Sequence, residues 1–212
     1  MNDPSPAAIG WRVHSGWAAL VAVTGTRKSV EVVHRQRVAL ADPAAAGPTQ
    51  PYHEAEGQPL AKARRIVERH DEEAKRRASE GLGSILDQLE HRGYVVAASA
   101  VLASSGKPLP ELESILASHA LIHSADGELF RKAVQNASEK RGLRTIRLRE
   151  KSLMSEAVAS LQIPDDELQS LIRHLGKKIG PPWSEDQKLA ALGAWVALSE
   201  PVKSSPRRTV GD

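Results

Sequence analysis

The sequence contains no cysteine and very few rings: aromatic residues make up 3% of its 212 positions. Without thiols there can be no disulfides, no thiolate metal site and no cysteine nucleophile. A reducing compartment fits that composition. With so few aromatics the core must be built from Ala, Val, Leu and Ile, and little is left on which bases or sugars could stack. No apolar run approaches the ~20 residues needed to span a bilayer. Met1 to Ala8 lacks the basic start and apolar stretch of a signal peptide, so the expectation is a cytoplasmic protein with no membrane contact.

What is present is enough for a globular domain. Apolar residues reach 41% and charged residues 26%, a balance that supports both a core and a solvated surface. The formal net charge is +3 with a pI near 9.3, a mild bias whose distribution is more informative than its sum.

Along the chain, residues 1–8 read as an N-terminal tail. Three strands follow, Ile9 to His14, Trp17 to Thr24 and Val30 to Leu40, joined by the turn signals Ser15-Gly16 and Gly25 to Lys28, which makes a meander. Residues 43–57, rich in Ala, Pro and Gly, read as a connector loop. A helix is expected over Leu60 to Glu80, interrupted at Gly81 and Gly83 and resumed to His91. Tyr94 to Ala103 is almost entirely apolar, the pattern of a strand covered on both faces. Glu111 to Arg141 reads as a helix with a break near Asp126-Gly127. Arg144 to Arg149 is a strand with one charged face, suited to a sheet edge. Helices over 151–161, 164–178 and 184–199 complete a domain of residues 9–200. Ser184 and Gln187 of the last helix are spaced as a capping box. Residues 201–212 form a polar tail expected to be disordered.

This order of elements resembles the ribonuclease H-like fold, and within it the Holliday-junction-resolvase branch. The opening Ile9-Gly10-Trp11-Arg12 is similar to the Ile-Gly-Ile-Asp start of that family. Asp186, followed by Leu189-Ala190-Ala191-Leu192, is similar to its Asp-bearing final helix. The resemblance implies an α/β protein with a mixed five-stranded sheet of order 3-2-1-4-5 and helices on both faces. It also implies an ancestral site that cleaves nucleic acid with two metal ions held by several carboxylates. Here Arg12 stands where the first-strand aspartate belongs, and Ser99-Ala100-Val101-Leu102 of the fourth strand carries no acid. Two divalent cations need several hard oxygen ligands, so the expectation is this fold with a degenerate site.

Several groups could carry other chemistry. His119 and His123, four apart, share a helix face. With Leu112, Leu116 and Phe130 on that face if the helix is continuous, both are expected to point inward, as metal ligands, as an acid/base pair or as bonded core histidines. His14 ends the first strand on the face of Arg12, and Arg12 could grip an anion; a polar hairpin turn is the alternative. Tyr52, His53, Glu54 and Glu56 group in the connector, as a cover for the cleft or as a solvated loop. Asp186 is a residual acid or simply a helix-dipole partner. Between Arg131 and Lys151, eight cations face Glu139 and Glu150. Arg141, Arg144, Arg147 and Arg149 within that stretch are the candidates for contact with nucleic acid or with an acidic protein partner. Two functions follow: a binding protein that has lost its nuclease acids, or a small hydrolytic or metal-dependent enzyme using His14, His119, His123 and Asp186 in the equivalent cleft. No cofactor, oligomeric state or substrate is specified by the sequence.

Overall fold

The computed structural model describes residues 3–42, 49–104 and 108–200. Its first strand, β1 (Ser5–His14), begins at Ser5 rather than at Ile9. Residues 5–8, expected in the tail, are strand: Ala7 and Ala8 extend the hairpin opposite Thr24 and Val23, and Ser5, Pro6 and Ala7 pair in parallel with Tyr94, Val95 and Val96. That partner lies far along the chain, beyond the reach of a local pattern. β2 (Trp17–Gly25) and β3 (Val30–Ala39) complete the antiparallel meander. Its first turn is the two-residue loop between paired His14 and Trp17, with Gly16 at φ 81°, a conformation in which glycine has no steric cost.

β4 (Tyr94–Ala103) lies parallel to β1, and β5 (Arg144–Arg149) parallel to β4. The sheet order is β3-β2-β1-β4-β5, as expected, with β1 central. No helix among the described residues is long and apolar enough to cross a membrane.

Three helical expectations need correction. Within the expected connector 43–57 lies a short helix, α1 (Pro51–Ala55), starting on a proline and burying Pro51 and Ala55. Tertiary contacts stabilise it: Ala55 packs with Ala63 and Ile66, and the Tyr52 N–H donates to Asp126. Next, α2 (Leu60–His91) is one continuous helix through Gly81 and Gly83. Both glycines mark close approaches. A Cβ on Gly81 would sit 2.7 Å from Val38 Cγ1, and one on Gly83 2.4 Å from the Arg141 guanidinium. The intrinsic cost of helical glycine, about 1 kcal/mol each, is offset by packing. Finally, the break between α3 (Leu112–Leu116) and α4 (His119–Lys140) falls at Ala117-Ser118, not at Asp126-Gly127.

A 3-10 turn (Glu150–Ser152) leads to α5 (Leu153–Leu161), α6 (Asp165–Ile179) and α7 (Glu185–Ser199). The capping box at Ser184 and Gln187 is formed. Ile9, Trp11 and Val13 pack with Leu82, Ile85 and Leu89 of α2 and Phe130 and Val134 of α4. Ala8, Ala100 and Leu102 pack with Leu153, Leu192 and Trp195 of α5 and α7. Successive strand residues point to opposite faces, so β1 is covered on both sides. Arg35 of β3 donates to the carbonyls of Ile179, Gly180, Pro181 and Pro182, fastening the α6–α7 loop to the sheet edge. The expected tail 201–212 lies outside the described residues.

Candidate functional site

Two polar clusters stand out. The first lies where β1 ends beneath the start of α7. Gly10 allows this approach: a Cβ there would be 1.9 Å from the Ala190 carbonyl oxygen and 2.8 Å from the Ala194 nitrogen. The α7 backbone therefore rests on β1, and its first turn brings Asp186 over the same strand face two and four residues on, at Arg12 and His14. Arg12 Nη1 donates to Asp186 Oδ1. Its Nη2 donates to Glu150 Oε1 at 2.8 Å and its Nε to Glu150 Oε2 at 3.4 Å. His14 Nε2 lies 2.8 Å from the same Asp186 oxygen. One guanidinium thus bridges the carboxylates of Asp186 and Glu150. Its hydrogen bonds, outweighing burial, hold the Glu150 carboxyl below its ordinary range.

His14 is held below the usual histidine range, first by burial and then by the field of Arg12, Arg37 and Arg131, with Glu150 opposing. Its ring stacks on Trp17 at 4.3 Å between centroids, and the Arg37 guanidinium lies 3.7 Å over the same indole. The sequence signal for Glu150 was absent, because nothing local ties the residue after β5 to Arg12.

The second cluster holds His119 and His123, but not as expected from the sequence. Both are exposed, while Ile122, Ala125, Leu129 and Phe130 take the inward face. The break at Ala117-Ser118 resets the helix, so the face defined by Leu112 and Leu116 does not carry through. The two rings turn instead towards α1, where His53 joins them. Among the described residues, His53, His119 and His123 each offer one nitrogen, all within 4.8 Å of one another. His14 and Asp186 are not in that group, so the four candidates do not form one centre.

No family model matches this sequence, and no curated protein matches it. Among solved structures, T. thermophilus RuvC in complex with a Holliday junction substrate is similar at a TM-score of 0.50 and 15% identity, over 90% of each chain. A second structure of Thermus thermophilus RuvC gives 0.47 and 12% identity, over 90% of this chain and 91% of that one. The Aquifex aeolicus member of the Ppx/GppA family gives 0.37 and 7%, over 76% and 41%. The chain shares the fold of T. thermophilus RuvC, a ribonuclease H-like arrangement of the sheet.

β1 is the central strand and α7 the final helix, so Arg12, Glu150 and Asp186 meet where the end of β1 lies beneath the start of α7. The arginines predicted to form a patch around β5 have different surroundings. Arg144 is half-buried, bonded to Glu200 Oε2 at 2.8 Å and to the Ala197 and Glu200 carbonyls. Arg147 makes a two-pronged pair with Glu128 at 2.8 and 2.9 Å. Arg141 lies against α2 at Gly83. Arg149 is exposed and, like its neighbour Lys151, has no ion-pair partner among the described residues.

Proposed function

We propose that this ribonuclease H-like protein binds nucleic acid through phosphate contacts and does not cleave it with two metal ions. The bridging of Asp186 and Glu150 by Arg12 carries this reading. A divalent cation entering there would have to displace a guanidinium already hydrogen-bonded to both carboxylates, and the field of Arg37 and Arg131 would oppose it. The same field favours a polyanion. Arg149 and Lys151, solvent-facing and uncommitted, extend it along the sheet edge. The similar T. thermophilus RuvC structure holds a Holliday junction substrate, which makes a nucleic acid the natural ligand for this frame.

The test is retention of duplex and single-stranded DNA and RNA at rising salt. Backbone binding falls steeply between ~50 and ~200 mM salt and is uniform across sequences. Exchanging Arg149 and Lys151 for Ala weakens it for every probe and flattens the salt slope. No retention at low salt would remove the proposal. Cleavage in Mg²⁺ or Mn²⁺ that Asp186→Asn abolishes would remove its second half.

A further inference from the structure

The histidine cluster between α1 and α4 brings three ring nitrogens within 4.8 Å of one another. His119 Nε2 and His123 Nε2 are 3.1 Å apart, sharing a hydrogen bond when no ion lies between them. Two nitrogens bound at 2.0–2.1 Å to one tetrahedral ion stand ~3.3 Å apart. The centroid of the His53 ring is 4.5 Å from that of His123 and 5.5 Å from that of His119, so three rings converge from two elements.

Behind them, Asp126 is a buried carboxylate, 2% exposed. Its Oδ2 accepts from His53 Nδ1 at 2.5 Å, and its Oδ1 accepts the Tyr52 N–H at 2.7 Å. A histidine that donates through Nδ1 to a carboxylate presents a lone pair on Nε2 with its ring orientation fixed. That is how outer partners prepare ligating imidazoles. The arrangement unites a helical i, i+4 pair, a third imidazole from a separate element and an orienting acid.

We infer that His53, His119 and His123 form a site for a late first-row divalent cation, zinc being the representative. Imidazole donors suit zinc, cobalt, nickel and copper, whereas magnesium and calcium prefer oxygen. Three protein ligands leave a fourth tetrahedral position, and the exposure of His119 and His123 opens it to solvent, the coordination of a site that can hold a water. The ion links α1 to α4 and offsets the buried charge of Asp126. The site is separate from the Arg12 cleft and does not rest on the proposed nucleic-acid binding.

The experiment is titration of the chelator-treated full chain with Zn²⁺ by calorimetry and with Co²⁺ by visible absorption. The expected result is one equivalent of each, with the intense visible bands of tetrahedral cobalt, and no competition from millimolar Mg²⁺. The double exchange His119→Gln with His123→Gln, at exposed positions where the fold does not depend on them, abolishes binding and leaves the circular dichroism of the metal-free protein unchanged. Asp126→Asn lowers affinity ~10–100-fold. Absence of saturable Zn²⁺ or Co²⁺ binding, or undiminished binding in the double variant, would overturn the inference.

Discussion

Replacing Arg12 by Ala is the most informative perturbation of the cleft. It removes the donor shared by Asp186 and Glu150 and leaves two carboxylates facing each other beside His14. The side chains of Arg12 and Asp186 are about one-fifth exposed and that of Glu150 about two-fifths. The loss should therefore fall between an exposed pair, below 1 kcal/mol, and a buried one, 3–5 kcal/mol, at about 1–3 kcal/mol in urea unfolding. The freed acids become a weak cation site. For a dissociation constant of ~1 mM, 10 mM Mg²⁺ would return ~1.4 kcal/mol to the variant, roughly 3–6 °C in Tm for a domain of this size. The wild type should gain nothing, since its own guanidinium already fills that role. Differential scanning calorimetry of both proteins with and without Mg²⁺ gives the comparison. Equal stabilisation of wild type and variant by the ion would refute the bridging argument, because it would mean that the arginine does not occupy the cation's place.

Other consequences can be measured in the same way. Gly10→Ala puts a methyl group against the main chain of α7, which cannot rotate aside, and should cost about 3 kcal/mol or more in urea unfolding. Arg35→Ala leaves four carbonyls of the α6–α7 loop without their shared donor and should destabilise by about 2–3 kcal/mol. Arg35→Lys should restore less than half, since an ammonium cannot match the planar fork. Because the Glu150 carboxyl is held below its ordinary range, its contribution is complete above that range and is lost as the pH falls through the depressed value. The stability difference between wild type and Glu150→Gln should thus be largest near about pH 6 and shrink towards about pH 3.

The sheet was readable because each strand's pattern matched its place. Valines interleaved with charges marked β3 as an edge, the apolar run of β4 matched its inner position beside β1, and the alternation in β5 marked the opposite edge. What failed were features fixed by partners distant in sequence. Ser5 to Ala7 became strand through β4, Gly81 and Gly83 stayed helical because β3 and Arg141 come close, and Pro51 to Ala55 folded on α2 and α4. The candidate sites followed the same rule. His14 and Asp186, offered together with His119 and His123 as one group, meet at Arg12, whose second acceptor Glu150 has no local signal. His119 and His123 were recognised by spacing, yet their direction depended on a helix break at Ala117-Ser118 that no strong breaker residue announces. Their third partner, His53, stands in the connector, where nothing in the sequence places it beside them.

The contact at Gly10 separates the frame of the cleft from its chemistry. Helix and central strand meet main chain to main chain, so their spacing is set without help from the residues that line the opening. Positions 12, 150 and 186 are in that sense interchangeable fittings on a fixed mount. The side chain at position 12 can be exchanged while the spacing of helix and strand stays the same.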